Sequence, residues 1–140
     1  MQSFLAIEYT LKEQADIDRF ADSISTADMP QFVCIQIDFD PFPAISVLIN
    51  GDHAWIMYLR HSGDAGFHSI NPAIDGTDLL EFQIENGQVD HYPLRWTFSS
   101  GDILNAIVNF ARTKEFPDWI EWANDSGDGC VHPRDEFYIS

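Results

Sequence analysis

The chain has 140 residues, of which 23 are Asp or Glu and 7 are Lys or Arg, so its formal net charge is -16 and its isoelectric point lies near 4.2. A hydrophobic fraction of 45% with 14% aromatic residues excludes a disordered acidic segment and indicates one packed domain. The negative charge argues against nucleic acid or an anionic membrane as partner and favours a basic protein.

In chain order, periodicity and turn signals predict seven strands and two helices. The segments are strand 4–9, helix 11–25, strands 32–39, 45–49, 53–60, 79–85 and 88–98, helix 101–113 and strand 118–122. Thr10 and Glu13 have the spacing of a capping box for the first helix, and Ser99 or Ser100 is expected to cap the second. Asn50-Gly51 predicts a tight hairpin between the third and fourth strands.

These segments predict an α+β fold, with a mainly antiparallel sheet of about six to seven strands and two helices packed on one face. The other face is expected to be partly wet, because Asp38 and Asp40 alternate with buried positions. Residues 1–122 are expected to form the single domain, and residues 123–140 an acidic tail containing Gly and Pro.

The start of the chain lacks the basic and apolar segments of a signal peptide, and no apolar stretch approaches the roughly 20 residues that span a bilayer. Cys34 lies in an apolar strand and is expected to be a buried free thiol, and Cys130 lies in the Gly-rich tail. These features predict a cytoplasmic protein.

No sequence motif of an enzyme is present, and no catalytic residue or cofactor is predicted. The loop between His61 and His68 could form a zinc site with Asp64, although turn-lining histidines are more common. Residues 124–129, followed by Asp135, have the ligand spacing of an EF-hand loop, but no helix is predicted before Asn124. No metal site is therefore predicted.

The second half of the chain resembles a bacterial family of immunity proteins from polymorphic toxin systems, the first family in that series and one often paired with deaminase toxins. The resemblance lies in the hairpin over 44–58, the Gly-bearing loop after it, and the segment 111–122, where a helix is followed by Pro117, a short strand and Trp122. It extends over about residues 30–122. Trp119 and Trp122 match the family pattern and are expected to be core residues.

The resemblance implies a small cytoplasmic protein without enzymatic activity, which binds a toxin domain and covers its active site. A toxin that acts on nucleic acids, a deaminase or a nuclease, carries a basic cleft, and an acidic inhibitor would associate with it rapidly. The predicted partner is thus a basic toxin domain, and the oligomeric state is left open. The residues predicted to contact this partner are Asp38, Asp40, Asp64, Asp118, Glu121, Asp125 and Asp128.

Two other functions are compatible with the sequence. One is an acidic adaptor or DNA mimic that inhibits a host enzyme. The other is a small-ligand module that uses the loop between His61 and His68. Genomic context separates these possibilities, because a toxin gene beside this one favours the immunity function.

Overall fold

Nine strands and two α-helices form the described part of the chain, residues 4–24 and 29–133, in the computed structural model. In chain order they are β1 (Phe4–Thr10), α1 (Gln14–Ser23), β2 (Phe32–Asp38), β3 (Ala44–Asn50), β4 (His53–Leu59), β5 (Phe67–Ile70), β6 (Leu79–Gln83), β7 (Val89–Pro93), β8 (Phe98–Ser99), α2 (Ser100–Thr113) and β9 (Glu121–Asn124). The main sheet has the order β1-β2-β3-β4-β5-β9, and β8 pairs with the start of β4. Only the pairing of β1 with β2 is parallel among these strands. The predicted α+β fold with a mainly antiparallel sheet is therefore confirmed.

One face of the main sheet forms the larger core with both helices. Val33, Ile35 and Ile37 alternate along β2 and are at most 1% exposed, because side chains two residues apart share a face of a strand. Ile107 of α2 and Phe20 of α1 are equally buried against this face. Burial of each such side chain contributes roughly 1.5–3 kcal/mol, so this face supplies much of the stability.

The predicted second helix is confirmed with its predicted cap. The Ser99 hydroxyl accepts a hydrogen bond from the Asp102 amide at 3.2 Å, which satisfies one free N–H of the first turn. At the other end Lys114 adopts a left-handed conformation with φ of 63°, and its amide donates to the Phe110 carbonyl at 2.7 Å. Neither described helix is long and apolar enough to span a membrane.

The first helix begins later than the predicted residue 11. The Leu11 amide donates to the Asp38 carbonyl at 2.8 Å, so hydrogen bonding to β2 extends one residue beyond Thr10. Leu11 is therefore not helical, and the helix begins at Gln14. Glu13 then acts as the N-cap, and the Asp16 carboxylate accepts from its amide at 3.0 Å. Hydrogen bonds from the Lys12 and Glu13 amides lower the pKa of Asp16. The prediction of Thr10 as the cap was wrong by one turn.

The other face of the sheet is covered at one end by a hairpin of β6 and β7. These strands were predicted, but as part of the main sheet, whereas they pair with each other in a separate two-stranded sheet. Phe82 and Tyr92 of the hairpin pack on Trp55 of β4, and Cys34 and Leu48 lie in the same cluster. Trp55 is a bulky apolar residue on this face, and the hairpin removes its surface from water. Burial raises the pKa of the Cys34 thiol to about 11.

The last strands differ most from the sequence predictions. β5 was not predicted, because its centre carries the polar residues His68 and Ser69, both buried. β9 starts and ends later than the predicted strand 118–122, so the predicted boundary after residue 122 falls within this strand. Trp122 is half-buried against Phe116 at 4.9 Å between ring centroids. Trp119 precedes β9 and is 44% exposed, so its prediction as a core residue was wrong.

Candidate functional site at the acidic end of the sheet

The topology brings four chain segments to one end of the main sheet. The register pairs Thr10 with Asp38, Asp38 with Ala44, and Ala44 with Leu59, and it then pairs Phe67 with Asn124. The segments 11–13, 39–43, 60–66 and 125–131 therefore leave or enter the sheet at this end. We call it the acidic end, because Asp38, Asp40, Asp125 and Asp128 are all exposed there.

An ion-pair cluster around Arg60 connects two of these segments. Its guanidinium binds both carboxylate oxygens of Asp64 at 2.8 Å through Nε and Nη2, and Nη1 lies 2.6 Å from Asp128. Nη2 also donates to the Ser126 hydroxyl at 2.9 Å, and the guanidinium carbon lies 5.1 Å from the centroid of Phe67. The Arg60 side chain is only 5% exposed. Arg60 therefore anchors the segment after β9 to the loop after β4, and we call this cluster the Arg60 anchor.

The Arg60 anchor shifts the protonation equilibria of its members in consistent directions. Hydrogen bonds from Arg60 hold the pKa of Asp64 well below its usual range, and bonding to Asp64 raises the pKa of Arg60. The pKa of Asp128 is lowered first by the Cys130 amide and then by Asn124 and Arg60. All three groups are thus charged at neutral pH, as paired groups of opposite charge should be.

The turn after β9 is ordered by its own side chains. The side-chain Oδ1 of Asn124 accepts hydrogen bonds from the backbone amide and the hydroxyl of Ser126 at 2.8 and 2.6 Å. The side-chain Nδ2 of Asn124 donates to the Asp128 carboxylate at 2.7 Å and to the Cys130 backbone carbonyl at 2.9 Å. Gly127 has a φ of 75°, a conformation that favours glycine. The turn over residues 124–130 is therefore held in a defined shape by its own side chains.

These contacts bear on the two metal sites considered from the sequence. In the segment with EF-hand spacing, Asn124, Ser126 and Asp128 are hydrogen-bonded to one another, and Asp135 lies outside the described residues. Within residues 4–24 and 29–133, no three His, Cys, Asp or Glu side chains are grouped as they would be around a metal ion.

The two histidines of the candidate zinc loop have separate surroundings. His68 is buried on β5, where its Nδ1 lies 2.7 Å from Asp125 and its ring stacks on Trp96 at 3.7 Å. His61 is exposed, and its Nδ1 lies 3.0 Å from the Ser62 carbonyl. His68 therefore holds the segment after β9 at a second point, beside the Arg60 anchor.

The seven residues predicted to contact a partner do not form one patch. Asp38 and Asp40 are exposed at the acidic end, and Asp40 lies 3.9 Å from Lys12. Asp125 and Asp128 are 42% and 44% exposed there while also pairing with His68 and Arg60. These four residues are the ones that the structure brings to one end of the sheet.

The other three predicted residues have different surroundings. The Asp64 side chain is only 1% exposed and is held by Arg60, so its prediction as a contact residue is corrected to a structural role. Asp118 precedes β9 and lines a small cavity of about 60 Å³ with Phe116. Glu121 pairs with Ile70 and begins β9, away from the acidic end.

The residues missed by sequence reasoning are those that hold this end together, Arg60, Ser126 and Trp96. Each contacts a residue distant in sequence, for example across 66 positions between Arg60 and Ser126. One signal was available. Arg60 directly follows an apolar strand and precedes Asp64 by four residues in a glycine-containing loop, a spacing at which the two side chains can meet across a turn.

The fold and this site define an α+β domain whose distinguishing surface is a group of exposed carboxylates at one end of a sheet. Residues 6–124 match the model of the family described as immunity protein Imm1. The match includes most of the chain, and the protein belongs to this family. A comparison with curated proteins gave no match. Membership makes it an immunity protein, and such a protein binds a cognate toxin.

Proposed function

We propose that this immunity protein acts in the cytoplasm on a toxin that modifies or cleaves nucleic acid, a deaminase or a nuclease, by covering its active site with the acidic end. The observation that carries the proposal is the charge of -16 on a packed domain, with four exposed carboxylates gathered at one end of the sheet. An enzyme that binds nucleic acid needs a basic cleft to neutralise phosphates. A carboxylate surface is complementary to such a cleft and competes with the substrate.

Asp38, Asp40, Asp125 and Asp128 are the proposed contacts, and Asp118 and Glu121 lie outside this group. The Arg60 anchor gives the proposal a physical basis, because it holds Asp125 and Asp128 on a turn of fixed shape. A preorganised charged surface loses less conformational entropy on binding than a mobile tail. Asp64 is not part of the proposed surface, since its carboxylate is buried.

The test measures binding to the toxin domain encoded beside this gene, prepared in a catalytically inactive form. We expect a one-to-one complex whose association rate falls steeply between 50 and 500 mM salt while its dissociation rate changes less. The variant Asp38→Asn/Asp40→Asn removes two charges at the acidic end and keeps side-chain shape. The control variant Asp75→Asn/Asp78→Asn removes two charges from the exposed loop before β6.

Exposed charges each contribute about 0.2–1 kcal/mol, so loss of the pair at the acidic end, about 0.4–2 kcal/mol, should slow association roughly 2- to 30-fold. The control should stay within twofold of the parent. An association rate independent of salt, or equal losses in the two variants, would remove the acidic end from the mechanism. A neighbouring toxin that acts on a target other than nucleic acid would overturn the proposed toxin class.

A further inference from the structure

The hairpin of β6 and β7 covers only part of the second face of the main sheet. Its aromatic residues pack over Cys34, Leu48 and Trp55, which lie in one row across β2, β3 and β4. The next row toward the acidic end crosses five strands. By register it contains Glu8, Gln36, Ser46, Met57 and His68. We call this row the open half-face.

Glu8 is exposed and three other residues of the open half-face are partly exposed, whereas His68 is buried against Trp96. Gln36 and Met57 are half-buried, although β2 and β4 are interior strands whose other faces are fully buried. The Ser46 hydroxyl donates to Gln36 at 2.6 Å, so these two polar groups bind each other across neighbouring strands. Beside β1, an open groove of about 550 Å³ runs between Glu8 and the hairpin turn.

The open half-face is as long as a protein interface is wide. Five adjacent strands and the neighbouring β9, spaced by about 4.8 Å, give a row about 24 Å long. A standard interface buries about 800 Å² on each partner, which corresponds to a patch of similar width. Together with the acidic end, which continues the same face through Asp38, the row is long enough to form the centre of such a patch.

The charge around this row specifies the chemistry of its occupant. The carboxylates of Glu8, Asp38, Glu85 and Asp125 border it, and all four residues are exposed. The floor between them is Ser46 with the apolar Met57. A floor of this kind fits the aliphatic stem of a lysine or arginine, while the carboxylates at the border bind its charged head.

We propose that the open half-face is the floor on which a basic segment of the toxin docks, an extended strand or loop bearing Lys or Arg. The inference rests on the proposed function and specifies where the toxin is seated. The stacked pair of His68 and Trp96, at 3.7 Å between ring centroids, lies at the β5 end of the open half-face. The groove beside Glu8 lies at the β1 end.

Two variants test the docking floor, and each has a control with the same change of charge. Ser46→Arg places a long cation at the centre of the floor, and Asn105→Arg places one on the exposed surface of α2, which packs on the opposite face of the sheet. Glu8→Lys reverses a charge on the exposed edge strand, and Asp75→Lys does so in the loop before β6. Binding to the inactive toxin domain is measured by titration calorimetry, after the thermal midpoint shows that each variant is folded.

We expect Ser46→Arg to weaken binding at least 100-fold and Glu8→Lys at least fivefold, with both controls within twofold of the parent. If Ser46→Arg does not fold, Glu8→Lys against Asp75→Lys decides the question, since an exposed edge position tolerates the change. Floor variants that bind like their controls, with the parent binding normally, would overturn the docking floor and leave the proposed function intact. A parent that does not bind the toxin would overturn the proposed function itself. A parent dimer that Ser46→Arg dissociates would assign the floor to a second copy of this chain instead.

Discussion

Replacing Arg60 with methionine should remove more stability than any other loss of a single charge in the described chain. Methionine keeps the length and apolar contact of the side chain but leaves Asp64 without its partner. The Asp64 side chain is 1% exposed, so its carboxylate would remain buried as an unpaired charge. Removing one member of a buried ion pair costs about 3–5 kcal/mol.

The size of this effect sets the expected change in melting temperature. An unfolding entropy of about 2.1 cal/mol/K for each residue gives roughly 0.29 kcal/mol/K for this chain. The loss of 3–5 kcal/mol then corresponds to a midpoint about 10–17 °C lower. The matched control is Arg19→Met, which also removes one positive charge. Arg19 pairs with Asp16 but is 72% exposed, so its replacement should cost less than about 1 kcal/mol, or about 3 °C.

The pH dependence identifies the buried carboxylate as the cause. In the parent, the pKa of Asp64 is lowered, so its stabilising contribution is complete above the unfolded value of about 3.9 and is lost only as the pH falls through the lower folded value. In Arg60→Met, the hydrogen bonds and charge of the guanidinium are lost while burial remains, so the pKa of Asp64 lies higher than in the parent. Protonation of Asp64 on acidification then costs the variant less than the parent, and the stability deficit of the variant narrows as the pH falls toward and below about 4.

A double variant completes the test. Arg60→Met/Asp64→Asn removes both charges, while the asparagine can still accept the backbone hydrogen bond that the Arg60 amide now donates at 2.9 Å. It should recover about 2 kcal/mol relative to Arg60→Met. Urea unfolding followed by tryptophan fluorescence at pH 4, 5.5 and 7 measures all four proteins. If Arg60→Met and Arg19→Met are equally stable at pH 7, the burial argument for the Arg60 anchor is refuted.

Two further predictions concern the loop and the strand that flank the Arg60 anchor. Gly66→Ala should destabilise the protein by about 1–3 kcal/mol more than Gly63→Ala, because both glycines have positive φ but only at position 66 would the new Cβ lie 2.6 Å from the Tyr58 carbonyl oxygen. Equal thermal midpoints for these two variants would contradict the close approach. Trp122→Ala should cost about 3 kcal/mol as a truncation in the core, and Trp119→Ala less than about 1.5 kcal/mol because that side chain is 44% exposed. The reverse order in urea unfolding would show that the two tryptophans have been assigned the wrong roles.

The elements that could be predicted from the sequence are those whose signals are local. The alternation of Val33, Ile35 and Ile37 indicates which face of β2 is buried, and the structure confirms it. The Asn50-Gly51 turn and the Ser99 cap are likewise set by residues within a few positions of one another. The start of α1 could not be predicted in this way. It depends on a hydrogen bond from Leu11 to Asp38, which forms only once β1 and β2 are paired.

The sequence predicts the negative charge of the candidate site, but not which carboxylates lie together there. Composition alone indicates an acidic surface, and the grouping of Asp38 and Asp40 follows from one strand end. Asp125 lies at the same end of the sheet only because β5 and β9 pair with each other. The strand β5 could not be predicted, because its buried polar residues interrupt the alternation of apolar and polar residues that indicates a strand. The burial of Asp64 depends on Arg60, and no count of charges along the chain distinguishes a buried carboxylate from an exposed one.

The negative charge on which the proposed function rests also destabilises the folded state. A net charge of -16 produces self-repulsion, and the most buried cation among the described residues, Arg60, is committed to holding the acidic end together. Salt screens both effects, since the Debye length falls from about 10 Å at 0.1 M to about 3 Å at 1 M. Added salt should therefore stabilise the free protein while it weakens the complex. If the toxin is basic and docks on the open half-face as proposed, its cations should relieve the same repulsion at low salt, because they would lie beside the exposed carboxylates. Binding and folding would then be linked through one set of charges, and the toxin should stabilise the immunity protein most under the conditions in which the free protein is least stable.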